Sequence, residues 1–134
     1  MRYFLSTLAL TALASSCHCV TALGINCRGS SSCVVPGGRD IADKLSKQIF
    51  NEVNSRAWYR DREHISCVKV LGNSGVCAFL QGTNGLSGND IKVLAFRIVG
   101  HGCKGCGSVP VYYDKGENDV ALHGMLTFNW VDEI

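Results

Sequence analysis

Proline and charge are what this 134-residue chain has least of: two prolines, and 18% charged residues. With 46% hydrophobic residues, that scarcity excludes a disordered, proline-rich or highly charged segment. The net charge is only +2 and the pI is near 8.1. So mild a balance excludes a protein held to nucleic acid by bulk electrostatics. Beyond the N-terminal segment no stretch is long and apolar enough to span a bilayer, so no membrane insertion is expected. No G-x-S-x-G, H-E-x-x-H or EF-hand loop appears, and no Asn-x-Ser/Thr acceptor for N-glycosylation. The 15 glycines follow no Gly-X-Y period and read as turns.

What the chain does have is cysteine, eight in 134 residues. That share points to a disulfide framework in an oxidising compartment. The start agrees. Met1-Arg2 is positive, Tyr3 to Ala14 is an apolar run, and no acid occurs before Asp40. The run is about 12 residues against the ~20 a membrane span needs, so it reads as a secretory signal peptide. Cleavage after Ala14, Ser16 or Ala22 fits the small-residue rule. The cut at Ala22 discards Cys17 and Cys19 and leaves six cysteines. It removes one arginine and no acid.

The remainder reads as one domain. Leu23 to Cys27 is a short strand and Arg28 to Gly38 a loop punctuated by Pro36-Gly37-Gly38. Ile41, Leu45, Ile49 and Val53 recur every fourth residue behind Asp40, which predicts an amphipathic helix over 40–56. Residues 64–71 alternate, residues 72–75 (GNSG) turn, and 76–81 return, which is a β-hairpin. Cys67 and Cys77 sit symmetrically about that turn, close enough to bridge. Asn89 is read as the cap of a second helix over 90–99, with Gly100 as its stop. Strands follow at 109–113 and 120–131, with Gly124 as a bulge in the latter. The order β-α-β-β-α-β-β implies an α+β two-layer sandwich. Its mainly antiparallel sheet has about five strands, with two helices on one face.

Several constellations invite chemistry. Cys103-x-x-Cys106 is open to three readings: structural half-cystines, half a zinc site completed by Cys27 and Cys33 or His101, or a redox pair. It follows a helix end and precedes a strand, which disfavours a redox motif, and an oxidising compartment favours disulfides. Gly100-x-Gly102-x-x-Gly105 matches a dinucleotide fingerprint in letters but has helix and strand in the wrong order. His64, His101 and His123, with Glu63 and Glu117, are the residue types of a small hydrolase, without a diagnostic spacing. Arg56, Arg60, Arg62 and Lys69 cluster around Trp58 and Tyr59. They form either a solvated edge whose aromatics dip into the core, or a basic protrusion that docks onto an acidic target such as a channel mouth.

Two strings carry a resemblance. Leu23-Gly24-Ile25-Asn26-Cys27-Arg28-Gly29-Ser30-Ser31-x-Cys33 resembles the mature start of the KP-four killer toxin family, secreted fungal toxins first met as a virus-encoded smut-fungus product. His101-Gly102-Cys103-x-x-Cys106-Gly107-Ser108-x-Pro110, Asn118-Asp119-Val120 and Gly124-x-Leu126-Thr127-x-Asn129-x-Val131 resemble the family's C-terminal third. Between them, Gly72-Asn73-Ser74, Gln81-x-Thr83-Asn84 and Ser87-Gly88 occur in similar order. The resemblance implies cleavage after Ala22, hence a signal peptide at 1–22 and a toxin-like domain at 23–134. It implies the pairs Cys27–Cys103 and Cys33–Cys106; six cysteines alone allow 15 connectivities. This chain lacks the family's C-terminal cysteine, which is the partner of the hairpin cysteine. The inference is that Cys67 pairs with Cys77.

The resemblance also implies a monomer secreted to the extracellular space. Without enzymatic chemistry, cofactor or metal, it would bind the outer face of a membrane channel and block calcium entry, inhibiting competing fungi or plant cells. The family relies on an exposed lysine near the start of the hairpin. Lys69 is the lysine there, Arg60 and Arg62 are its basic neighbours, and Lys104 matches a further basic position. Two alternatives stand beside this reading: a virulence-associated binding module that kept the scaffold without channel activity, and a small secreted hydrolase using His64 or His101.

Overall fold

The computed structural model describes residues 24–34 and 40–134. The leader and the Pro36-Gly37-Gly38 stretch lie outside the described residues. After a 3-10 turn at Ser31–Cys33 come α1 (Ile41–Glu52), β1 (Trp58–Tyr59), β2 (Ser66–Leu71), β3 (Ser74–Gln81), β4 (Leu86–Ser87) and α2 (Gly88–Gly100). Then follow β5 (Gly107–Pro110), a 3-10 turn at Tyr113–Lys115, α3 (Val120–His123) and β6 (Met125–Val131).

The fold is α+β. Its main sheet is antiparallel throughout, in the order β2-β3-β6-β5. One face of it carries Val76, Ala78, Leu80, Val109, Leu126 and Phe128, all fully buried. Against them α1 turns Ile41, Ala42, Leu45 and Ile49, and α2 turns Ile91, Leu94, Ala95 and Ile98. Alternation in the strands and a four-residue recurrence in the helices place these side chains in one layer. α1 lies over β2 and β3, and α2 over β5 and β6.

Several elements differ from the sequence reading. The main sheet has four strands rather than about five. Residues 24–27 contribute only an isolated antiparallel bridge, Asn26 to Ser108 on the free edge of β5. β1 and β4 form a separate two-stranded antiparallel ribbon that the sequence did not announce. α1 stops at Glu52 instead of reaching 56, because Asn54 starts a turn. Its Oδ1 accepts from the Arg56 N–H at 3.0 Å and its carbonyl from the Ala57 N–H at 3.1 Å. The cap of α2 is Ser87 rather than Asn89: Ser87 Oγ accepts from the Asp90 N–H at 3.2 Å and donates to Asp90 Oδ2 at 2.7 Å. Gly100 is the last residue of α2 rather than its stop. The strand expected at 109–113 spans Gly107–Pro110, and Tyr113 opens a 3-10 turn. The long final strand over 120–131 is instead a short helix, α3, followed by β6. Asp119 Oδ1 caps α3 by accepting from the Ala121 and Leu122 N–H groups at 2.9 and 3.1 Å. Gly124 separates the two at φ 76°, where any side chain would strike the backbone oxygens of Gln81 and Gly82.

Candidate target-binding surface

Three disulfides organise the surface. Cys27–Cys103 and Cys33–Cys106 join the N-terminal segment to the glycine-rich turn after α2, with Cα separations of 5.0 and 5.7 Å. The turn can come this close because residue 105 is glycine: a Cβ there would sit 2.6 Å from the Cys33 carbonyl oxygen. Backbone bonds run both ways between Asn26 and Ser108, at 2.8 and 3.0 Å, and Asn129 Oδ1 accepts from the Ser30 N–H at 2.8 Å. The Ala42 N–H, one of the donors that the start of α1 leaves unpaired, donates to the Lys104 carbonyl at 2.9 Å. The clasp therefore also caps the first helix. Its sulfurs are consumed in bonds, so no thiolate is left for zinc or redox chemistry. Arg28 and Lys104 line a cleft of ≈ 660 Å³ beside these bridges.

The third bond, Cys67–Cys77, joins residues directly opposed in the β2–β3 register, on the sheet face away from the helices. His64 comes within 4.8 Å of both sulfurs, but a closed disulfide offers no ligand to a metal. The imidazole sits instead beside the Phe79 ring, 6.1 Å between centroids. Lys69 stands exposed on β2 opposite Gly75, one step before the register shifts between Lys69 and Leu71.

The basic residues ahead of the hairpin occupy a separate, rigid protrusion. The Arg62 N–H donates to the Leu80 carbonyl at 2.8 Å, the Thr83 N–H to Asp61 Oδ1 at 3.0 Å and the Arg60 N–H to Glu63 Oε2 at 2.9 Å. Asp61 and Glu63 thus bond to backbone donors, while Arg60 and Arg62 are exposed, the Arg62 Nε standing 3.8 Å from Asp61 Oδ2. Arg62 has φ 62°, alone among the described non-glycine residues. That conformation costs on the order of 1–2 kcal/mol for a residue with a Cβ. Trp58 is 63% exposed rather than dipping into the core; Tyr59 makes that core contact. Trp58, Arg60, Asp61, Arg62 and Glu63 line an open cleft of ≈ 590 Å³. Exposed Trp58 is the surface feature the sequence reading misplaced. In β1 the two neighbours face opposite ways, but a strand of two residues has no period to show this in the sequence.

The four nominated cations are not gathered into one patch. Arg60 and Arg62 share the protrusion. Lys69 is displaced along the hairpin: Leu80 and Gly75, their respective neighbours on β3, are five residues apart, or about 17 Å. Lys104 belongs to the opposite edge of the sheet, three strand spacings or about 14 Å across.

A sequence profile of the Kp4 family matches residues 8–132. The chain is also 38% identical over 114 residues to the KP4 killer toxin of Ustilago maydis P4 virus, covering 84% of each sequence. The chain belongs to the Kp4 family. The family match spans α1, α2 and α3, the whole main sheet and the clasp, so all three of the surfaces just described lie on the Kp4 domain. Within this Kp4 protein the hairpin bond joins two neighbouring strands. The segment after β6 returns to the hairpin turn, where the Ile134 N–H donates to the Asn73 carbonyl at 2.8 Å.

Proposed function

We propose that this Kp4-family protein is secreted after removal of residues 1–22. It then inhibits the growth of target fungal or plant cells by occluding a calcium channel from outside. It acts by binding rather than by catalysis, as a monomer and without a cofactor. The observation that carries this reading is the Trp58–Glu63 protrusion. The fold uses its backbone and its two carboxylates, and leaves Trp58 and Arg60 to solvent, with Arg62 exposed beside Asp61. Tryptophan and arginine are the side chains that most often dominate the energy of protein interfaces. A loop already fixed, and strained at Arg62, loses little further freedom on docking. Guanidinium groups suit the carboxylates that ring the mouth of a cation channel. Lys69 extends the positive surface along the hairpin; Lys104 is a separate contact on the clasp. The histidines support binding over hydrolysis by their separate surroundings. His64 lies against Phe79, His101 ends α2, and His123 pairs with Glu117 at 3.1 Å.

The test is calcium imaging of fungal and root cells exposed to oxidised protein purified from culture medium. Wild-type protein should reduce calcium influx and growth. Arg60→Gln with Arg62→Gln should weaken the dose response roughly tenfold, and Lys69→Gln by a smaller factor, with unchanged melting temperature. Unaltered influx at micromolar wild-type protein, or a double variant as potent as wild type, would reject the reading. Binding to wall polysaccharide with no calcium effect would instead establish the scaffold as a binding module.

A further inference from the structure

The helix layer buries one side against the sheet and leaves the other bare, and that bare side is not polar throughout. Phe50 on α1 is 69% exposed, and Phe96 and Val93 on α2 are 67% and 43% exposed. They line one groove of ≈ 450 Å³ together with Ser55, Asn89, Lys92 and Arg97. Lys92 Nζ stands 5.7 Å from the centre of the Phe50 ring. The two phenylalanines, on adjacent helices, both lie outside the buried core, and one of them carries the lysine ammonium over its ring.

The charges say what would cover this face. The groove is lined by two cations and no carboxylate. Arg97 is matched by Asp114 at 2.8 Å, whereas Lys92 has no ion-pair partner among the described residues. The acids of α1 do not cancel it. Asp43, two turns from Phe50 on the same side, is bound to Lys47 at 2.7 Å. Glu52 lies about 200° around the helix from Phe50. Asp90 is engaged by the Ser87 hydroxyl. A second copy docked by a two-fold axis would set lysine against lysine across an apolar seam, which is unfavourable. Aromatic side chains flanked by long cationic ones are the composition that settles at the level of lipid headgroups, the rings among the upper acyl chains and the ammonium at the phosphates.

We infer that the outer face of α1 and α2, through Phe50, Val93, Phe96 and Lys92, adsorbs to an anionic lipid surface. The contact is shallow and reversible and involves no insertion of a spanning element. The groove is continuous with the protrusion through backbone bonds, from the Asn89 N–H to the Ser55 carbonyl at 3.0 Å and from the Gly88 N–H to the Ala57 carbonyl at 2.9 Å. The inference deepens the reading of Trp58–Glu63 as the channel-contacting element. A protein whose protrusion engages a channel meets the surrounding bilayer with an adjoining face, and adsorption confines its search to the membrane plane.

The experiment is co-sedimentation of the oxidised, full mature chain with vesicles of phosphatidylcholine alone or containing phosphatidylserine at about one lipid in three. Binding is expected to the anionic vesicles and to weaken as salt is raised. Phe96→Gln should lower partitioning roughly tenfold, from the burial of one phenyl ring. Lys92→Gln should lower it about fivefold and flatten the salt dependence. Phe96 is exposed and Lys92 half-buried without an ion pair among the described residues, so melting temperatures should hold, and equal melting confirms that the variants are folded. No sedimentation with anionic vesicles overturns the inference. So does sedimentation unchanged by Phe50→Gln with Phe96→Gln, and so does a concentration-dependent dimer in sedimentation velocity that Phe96→Gln abolishes. Calcium imaging keeps the two readings apart. Vesicle binding without channel block would sink the proposed function and leave the lipid face standing. Channel block by a protein that does not sediment with anionic vesicles would remove the lipid face alone.

Discussion

Residues 24–34 and the strand pair β3–β6 both cross the domain, yet they are held by opposite means. In the first, Cys33 is the one buried residue, and Ile25 is the apolar side chain that reaches the core. Two disulfides, the Asn26–Ser108 bridge and the Asn129 side chain do the holding. In the second, Val76, Ala78, Leu80, Leu126 and Phe128 are fully buried and a continuous seven-pair ladder joins the strands. One region is fixed by restricting the unfolded chain, the other by removing apolar surface from water. A small disulfide-bonded domain combines the two because its core alone is modest.

The largest effect should come from opening the clasp, and it should not be additive. Cys27–Cys103 spans 76 residues and Cys33–Cys106 spans 73. Either one alone closes a long loop, worth about 4 kcal/mol in the chain-entropy account. Once one is closed, the other completes a ring of only roughly ten residues, worth about 3 kcal/mol. Replacing either pair by serine should therefore cost about 3 kcal/mol, whereas replacing both should cost about 7 kcal/mol. Urea unfolding of the three variants reads this directly. Two single-pair losses that sum to the double loss would show that the bridges do not share a loop.

Cutting the other region tests the hydrophobic half of the contrast. Phe128 is the largest fully buried side chain and lies at the centre of β6. Phe128→Ala should cost about 3–5 kcal/mol through lost burial and the cavity left behind. The two kinds of damage differ in signature. Clasp variants compared with all disulfides reduced should lose their difference from wild type, because the reduced wild type has forfeited the same constraint. Phe128→Ala should keep its penalty wherever the reduced protein still folds. A Phe128→Ala loss below about 1 kcal/mol would mean that the sheet rests on the bridges as well.

The same contrast governs what was legible in the sequence. The helices could be read from Ile41, Leu45, Ile49 and from Ile91, Leu94, Ile98, because a buried stripe imposes its period on the residues. The hairpin could be read from two alternating runs about Gly72-Asn73-Ser74-Gly75, and that turn places Cys67 opposite Cys77 in the register. The clasp has no period. Pairing residues more than seventy positions apart is a tertiary fact, and only the resemblance of the terminal strings bore on it. α3 was misread as strand because Val120, Leu122 and the residues after them look continuous with β6, although Asp119 carried the cap signal. The candidate surface was legible as composition, not as shape. Arg60, Arg62, Lys69 and Lys104 were visible as cations. The positive φ of Arg62 and the exposure of Trp58 depend on β3 and β4, which that segment meets only in the folded chain.

The smallest effect sharpens the contrast from outside the core, on the exposed side of α1. Lys47 donates to Asp43 Oδ2 at 2.7 Å, four residues earlier on the helix. That hydrogen bond, and then the carboxylate's charge, raise the Lys47 ammonium above the ordinary lysine value of 10.5. A raised lysine stabilises the fold while the ammonium is charged in both states. The contribution is full below the unfolded value and is lost as pH climbs through the folded one. Lys47→Met should therefore melt slightly below wild type from neutral pH to about pH 10, and the two curves should converge in stronger alkali. Added salt should narrow the gap at neutral pH, because the pair is open to solvent. The clasp and Phe128 penalties should be nearly indifferent to the same salt, since neither rests on charge. A Lys47→Met deficit that persists undiminished above the lysine range would assign the loss to packing of the lysine stem rather than to its charge.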